Sequence, residues 1–248
     1  MKSNTPNTHF KPLPANRHEI FSIPFWTMRW NGDLQQVAQD VRTAVNSIEE
    51  KGNLETDYTT YFHREIHQDI IESTDWYKSL ATNLKDTYVD IMHKCFIKDM
   101  RHLKRSDIHL WLWVNRYTGD HIHMAHNHKG STLSGTFYVQ TSPPSAPIIF
   151  ENPMEPANFL FQTRDRAFED GQVVLEGVPA VTHEFKYNPQ DGDIALWPSY
   201  LYHNVPRCPD QQERISISFN LSHKEELNYG HSDEILEEME YTFLYHDE

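Results

Sequence analysis

Residues Ile108 to Tyr117 read IHLWLWVNRY, and within them the periodicity of the chain changes. Ile108, Leu110, Leu112 and Val114 alternate with His109, Trp111, Trp113 and Asn115. Successive side chains of a strand point to opposite faces, so this stretch predicts a strand whose two faces meet different surroundings. Upstream the spacing is helical instead. In DLQQVAQDVRTAVNSIEE, from Asp33 to Glu50, Leu34, Val37, Ala38, Val41, Ala44, Val45 and Ile48 recur every three or four residues, with Asp33 placed to cap the first turn. A second helix is expected from about Ser73, Thr74 and Asp75 to Phe96, carrying Trp76, Leu80, Leu84, Tyr88, Ile91 and Met92 on one side. The polar, aromatic run YTTYFHREIHQD connects the two.

Downstream the strand-like pieces come at short intervals: LSGTFYVQ, APIIFEN, NFLFQ, QVVLEG, AVTHEFKY, DIALWP and ERISISFNLS. Turn-forming runs such as TSPPSAP, NPMEP, NPQDGD and RCPDQQ separate them. About eight short strands after a helical preface predict a mainly β protein with helices: a jelly roll whose N-terminal helices pack on one sheet. The expected organisation is a single domain of 248 residues, with helical support over 1–105, a β core over 106–223 and an acidic tail or helix over 224–248.

Composition narrows the partners. The net charge is −14, and the last 25 residues hold nine acids against one lysine, so −8 of it belongs to that tail. No basic stripe is present to neutralise phosphates, which argues against nucleic acid. No apolar run approaches a membrane span and the N-terminus has no signal-peptide character, so the expected location is cytoplasmic, or the host cytoplasm for a phage-encoded protein. Cys95 and Cys208 stand far apart in no metal-binding spacing.

Sixteen histidines raise the prospect of a metal, and four of them, His121, His123, His126 and His128, fall within HIHMAHNHKG. On a strand, residues two apart share a side, so His126 and His128 are placed to bind one ion; a third ligand must come from elsewhere, and His203 in GDIALWPSYLYHNVP is the best candidate. His121 and His123 read as a solvated or substrate-facing strand. In ERISISFNLS one face carries Arg214, Ser216, Ser218 and Asn220 and the other Ile215, Ile217, Phe219 and Leu221. A buried row of polar groups needs a polar ligand or solvent, and the planar fork of Arg214 suits a carboxylate.

HNHKGSTLSGTFYV, LWPSYLYHNVP and RISISFNL, with the early SIPFW, resemble the 2-oxoglutarate/Fe(II) oxygenases found in phages and marine bacteria, a group of the double-stranded β-helix superfamily. The resemblance runs from about Phe21 to Leu221. It implies Fe(II) held by His126 and His203, and the far carboxylate of 2-oxoglutarate held by Arg214 and Ser216. Asn115, Tyr117 and Tyr138 stand where such enzymes place co-substrate contacts. The implied activity is a dioxygenase that couples decarboxylation of 2-oxoglutarate to succinate with oxidation of a C–H bond, using molecular oxygen, in a small-molecule or peptide substrate. The superfamily pattern departs at His128, which stands where Asp or Glu is usual. Either His128 is the third ligand, or an acid such as Glu151 or Asp120 takes that place. Two other readings remain at this level: a cupin-type three-His dioxygenase that does not use 2-oxoglutarate, and a non-catalytic metal-binding jelly roll.

Overall fold

The structure, a computed structural model, describes residues 23–50, 58–95, 100–117, 121–141, 147–153, 184–207 and 213–223. Among the described residues nine strands form two antiparallel sheets. They are β1 (Trp26–Arg29), β2 (Ile108–Tyr117), β3 (His123–His126), β4 (Leu133–Gln140), β5 (Ile148–Glu151), β6 (Glu184–Tyr187), β7 (Asp193–Pro198), β8 (His203–Val205) and β9 (Arg214–His223). The larger sheet runs β1-β7-β4-β9-β2 and the smaller β3-β8-β5-β6. From β2 onward the described strands switch between the sheets at each step except from β5 to β6, which pair within the smaller sheet; this jelly-roll arrangement is the double-stranded β-helix that the sequence led us to expect. The segments NFLFQ and QVVLEG, the tail from 224, Asp120 and Cys208 lie outside the described residues.

Among the described residues three α-helices lie between β1 and β2: α1 (Leu34–Glu50), α2 (Arg64–Ile66) and α3 (Asp75–Cys95), with a π-helical turn over His67–Glu72. Asp33 caps α1 as expected, its Oδ1 accepting from the backbone N–H of Gln35 (2.9 Å) and Gln36 (3.1 Å). Val37, Val41, Ala44, Val45 and Ile48 of α1 and Leu80, Leu84 and Tyr88 of α3 are buried against the larger sheet, where they meet Phe137, Ile215, Ile217, Phe219 and Leu221. Each buried valine, leucine, isoleucine or phenylalanine among them contributes about 1.5–3 kcal/mol by leaving water, so the main apolar core lies between helices and sheet. A smaller cluster of Tyr138, Ile148, Phe150, Ala195, Trp197 and Leu201 sits between the two sheets. The inner face of the larger sheet is thereby left free for polar groups beside that cluster. Among the described residues no helix is long and apolar enough to cross a membrane.

The run between the long helices is more ordered than its polar character predicts. Thr59 bridges Asn115, Thr60 N–H donates to Val114 O (3.0 Å), and Arg116 N–H donates to Tyr58 O (2.8 Å), so residues 58–60 strap the outer edge of β2. Unpaired backbone groups on an edge strand are costly to leave exposed, and the strap covers them. Gly135 marks a close approach inside the larger sheet, where an added Cβ would overlap the Phe219 ring and the Ala195 carbonyl.

Candidate metal centre and pocket

A pocket opens between the sheets, lined by His126, His128 and His203 on one side and by Tyr138, Arg214, Ser216 and Ser218 on the other. Trp113, Tyr117, His121, His123, Ile148, Trp197 and Val205 complete much of its wall. The three histidines converge because three separate pieces of chain meet there. β3 and β8 pair with His126 opposite His203, so these two imidazoles face each other with ring centroids 4.4 Å apart. His128 arrives differently from the strand spacing that predicts it. β3 ends at His126, and the chain then turns through Gly130, whose φ of 89° is open to glycine at little cost. His128 N–H donates to Ser199 O (3.0 Å), and that bond, rather than a continued strand, holds His128 over the pair.

Ligand nitrogens of His126, His128 and His203 all lie within 4.8 Å of one another. His126 Nδ1 lies 2.7 Å from Met124 O and His203 Nδ1 lies 2.9 Å from Leu201 O. A carbonyl can only accept, so Nδ1 carries the proton in both rings and Nε2 is left with its lone pair, the tautomer a metal ligand needs. Burial, with the neighbouring His126 adding to it, pushes His128 and His203 down to about 3, which keeps both imidazoles neutral. The donor set therefore fits a divalent ion. Three imidazoles suit iron among other transition metals and leave coordination positions open.

Glu151 does not join them. Phe150, its neighbour on β5, faces inward with its ring 5.7 Å from that of His203, so Glu151 points to the opposite, exposed side. His121 and His123 line the pocket without belonging to the convergent group, and His123 Nε2 pairs with Tyr117 Oη at 2.5 Å.

Across the pocket β9 presents Arg214, Ser216 and Ser218, while Ile215 and Ile217 face the helices, as the alternation in the sequence predicts. Arg214 is buried, yet its Nε has no hydrogen-bond partner and no carboxylate lines the pocket among the described residues. Its guanidinium carbon sits 5.6 Å from the ring centre of Tyr138. The Tyr138 hydroxyl is a second buried polar atom without a partner; Thr136 is near it but does not meet hydrogen-bond geometry. Burial holds the Tyr138 phenol well above its ordinary value, so it stays a donor. Unpaired buried charge and unsatisfied donors are each costly, and an anionic ligand with carboxylate geometry relieves both.

Asn115 stands apart from this group. Its Oδ1 accepts from Thr59 Oγ1 (2.8 Å) and its Nδ2 donates to Ser218 Oγ (3.1 Å), so its side chain is spent on the strap and on β9 rather than on the pocket. Sequence reading also passed over Trp113 and Trp197 as wall residues. Trp113 was findable, since it shares the β2 face of Tyr117; Trp197 reaches the pocket only through the stacking of the two sheets.

Residues 111–220 match the family described as "Putative 2OG-Fe(II) oxygenase". No curated protein matches the chain. Solved structures similar to it include HygX from Streptomyces hygroscopicus with nickel and 2-oxoglutarate bound, at 16% identity and a TM-score of 0.45, covering 82% of this chain and 83% of that one. A Pseudomonas putida prolyl-4-hydroxylase is similar at 11% identity and a TM-score of 0.44, over 82% of this chain and 89% of the other. The family match runs from Trp111 to Asn220 and contains every side chain named above as lining the pocket. Over that segment the chain is similar to the 2OG-Fe(II) oxygenases.

Proposed function

We propose that the protein is a hydroxylase in which His126, His128 and His203 hold Fe(II) and Arg214, with Ser216, holds the far carboxylate of 2-oxoglutarate. The observation that carries this reading is the buried, unpaired Arg214 Nε in the same pocket as three converging imidazoles. A cupin-type dioxygenase that ignores 2-oxoglutarate has no use for a buried cation at that position, and neither has a metal-stabilised binding module.

The overall reaction balances as substrate R–H, 2-oxoglutarate and oxygen going to R–OH, succinate and carbon dioxide. Iron, when bound, supplies the oxygen activation that organic side chains cannot. The chain's own part is positioning. Arg214 offers its guanidinium to one end of the dicarboxylate, Ser216 and Tyr138 add hydroxyl donors, and the opposite end is thereby directed toward the histidines. Three neutral imidazoles leave the metal one unit more positive than two imidazoles and a carboxylate, which favours binding a dianion. Trp113, Ile148, Trp197 and Val205 keep the walls apolar and exclude water from the reacting atoms. Asn115 acts through Ser218, fixing the strand that carries Arg214.

The test is succinate release by the iron-loaded protein given 2-oxoglutarate and oxygen, alone and with panels of amino acids, peptides and small metabolites. Iron-dependent succinate, stimulated by one class of compound, is expected. Consumption of oxygen with no succinate would instead point to the cupin-type reaction.

A further inference from the structure

A chain of oxidisable rings leaves the metal pocket and ends at the surface. Trp113 lies 6.1 Å from His128 between ring centres. Tyr61 lies 5.2 Å from Trp113, and Trp111 lies 5.5 Å from Trp113 and 4.8 Å from Tyr61, on which it stacks at 27°. Phe62, 44% exposed, closes the series 4.8 Å from Tyr61. Trp113 is buried while Trp111 and Tyr61 are half-buried, so the series runs from inside to outside.

Packing alone does not account for it. None of Tyr61, Trp111 and Trp113 belongs to the core between helices and sheet or to the cluster between the sheets. Leucine or isoleucine would cover the edge of β2 as well. The two tryptophans share one face of β2 by the strand period, and the strap at residues 58–60 fixes Tyr61 against both, with Tyr61 N–H donating to Thr59 Oγ1 at 3.2 Å. Three side chains that can each lose one electron are thus held close together, starting at a residue whose ring centre lies 6.1 Å from that of the candidate ligand His128.

We infer that Trp113, Trp111 and Tyr61 form a one-electron relay that discharges the metal site when oxygen is activated with no substrate bond within reach. The inference rests on the iron assignment above. In each transfer Trp113 gives one electron to the oxidised metal site. Tyr61 refills Trp113, directly or through Trp111, and releases its phenolic proton to solvent. A thiol or ascorbate then returns one electron and one proton to Tyr61. Two such transfers, with two protons taken up from solvent, would supply the electrons that reduce an activated oxygen atom to water and return bound iron to the ferrous state. The relay thereby spares the ligand histidines from oxidation.

The test loads the full chain with Fe(II), adds hydrogen peroxide without 2-oxoglutarate, freezes the mixture within milliseconds and records the electron paramagnetic resonance spectrum. Peroxide oxidises the metal site whether or not the protein is a 2-oxoglutarate enzyme, so failure of the relay and failure of the functional reading are separable. The expected result is a tyrosyl signal in the wild type that is lost in Tyr61→Phe, which keeps the stacked ring but not the phenolic proton, and is absent from zinc-loaded protein. Peptide mass spectrometry should find oxygen added at Trp111 and Trp113 in preference to the exposed Tyr200 and Tyr202. A signal undiminished in Tyr61→Phe but lost in Tyr117→Phe would overturn the relay, as would oxidation confined to the histidines. Iron that binds without needing His126 or His203 would overturn the metal assignment, and the relay with it.

Discussion

Arg214→Ala removes a buried guanidinium that no carboxylate among the described residues neutralises, and two consequences follow with opposite signs. Hydrogen bonds to a charged group contribute about 1.5–3 kcal/mol, so losing the pair with the dicarboxylate should weaken 2-oxoglutarate by about ten- to a hundredfold. Folding stability should not fall, because Arg214 Nε makes no hydrogen bond in the protein alone and burying an unpaired charge is unfavourable. The assay is calorimetric titration of nickel-loaded protein with 2-oxoglutarate, run beside urea denaturation of the same samples. Metal affinity should be unchanged, since Arg214 lies on β9, across the pocket from the histidines. Ser216→Ala should show the same effect at smaller size, about 0.5–1.5 kcal/mol, because it removes one neutral donor. Equal binding of 2-oxoglutarate by wild type and Arg214→Ala would refute the reasoning. So would a loss of affinity matched by a loss of stability, which would mark Arg214 as a structural residue.

Two further perturbations test the supports of the site. His67 is buried, its Nδ1 lies 3.0 Å from Thr60 Oγ1, and burial, helped by the nearby Arg64 charge, lowers it to about 4; Glu72 Oε1 at 4.0 Å is too far for a hydrogen bond and half exposed, so its pull does not offset the lost hydration. The unfolded chain binds a proton near 6.5 and the folded one only near 4, so the folded state pays no cost above pH 6.5 and loses about 3 kcal/mol as pH falls through that window. Urea denaturation of wild type and His67→Gln between pH 7 and 4 should show the wild type losing stability more steeply by that amount, and parallel curves would contradict the prediction. Glu213, next to Arg214, is the second support. Burial pushes its carboxyl up, but hydrogen bonds from Arg42 of α1 and Arg116 of β2 outweigh that and hold it below the ordinary range. Glu213→Gln should cost about 1–3 kcal/mol of stability and weaken 2-oxoglutarate less than Arg214→Ala does, both read in the experiments above; unchanged stability would show that the network is idle.

The β-helix and half the site were legible in sequence because they rest on short-range periodicity. The polar and apolar faces of β9 follow from a repeat of two, and so do the positions of Arg214 and Ser216. The caps and buried stripes of α1 and α3 follow from a repeat near 3.6. His128 shows where that logic stops: its side chain reaches the pocket by a turn and one backbone hydrogen bond to Ser199, a residue 71 positions away, and no local pattern encodes such a bond. The strap of Thr59 and Thr60 on β2 was unreadable for the same reason, since polar residues in YTTYF satisfy edge-strand groups that only the folded sheet exposes. The resemblance implied a co-substrate contact at Asn115, and its partners Thr59 and Ser218 come from two distant segments that neither the resemblance nor local periodicity sees.

Visible absorption of the iron-loaded protein on adding 2-oxoglutarate, with oxygen excluded, tests the central claim most directly, because a 2-oxo acid chelating ferrous iron produces a charge-transfer band. The account predicts a band that saturates with one equivalent of 2-oxoglutarate, needs Fe(II) rather than Zn(II), disappears in His203→Ala and requires higher 2-oxoglutarate in Arg214→Ala. Iron bound at the three histidines with no band at any 2-oxoglutarate concentration would contradict it.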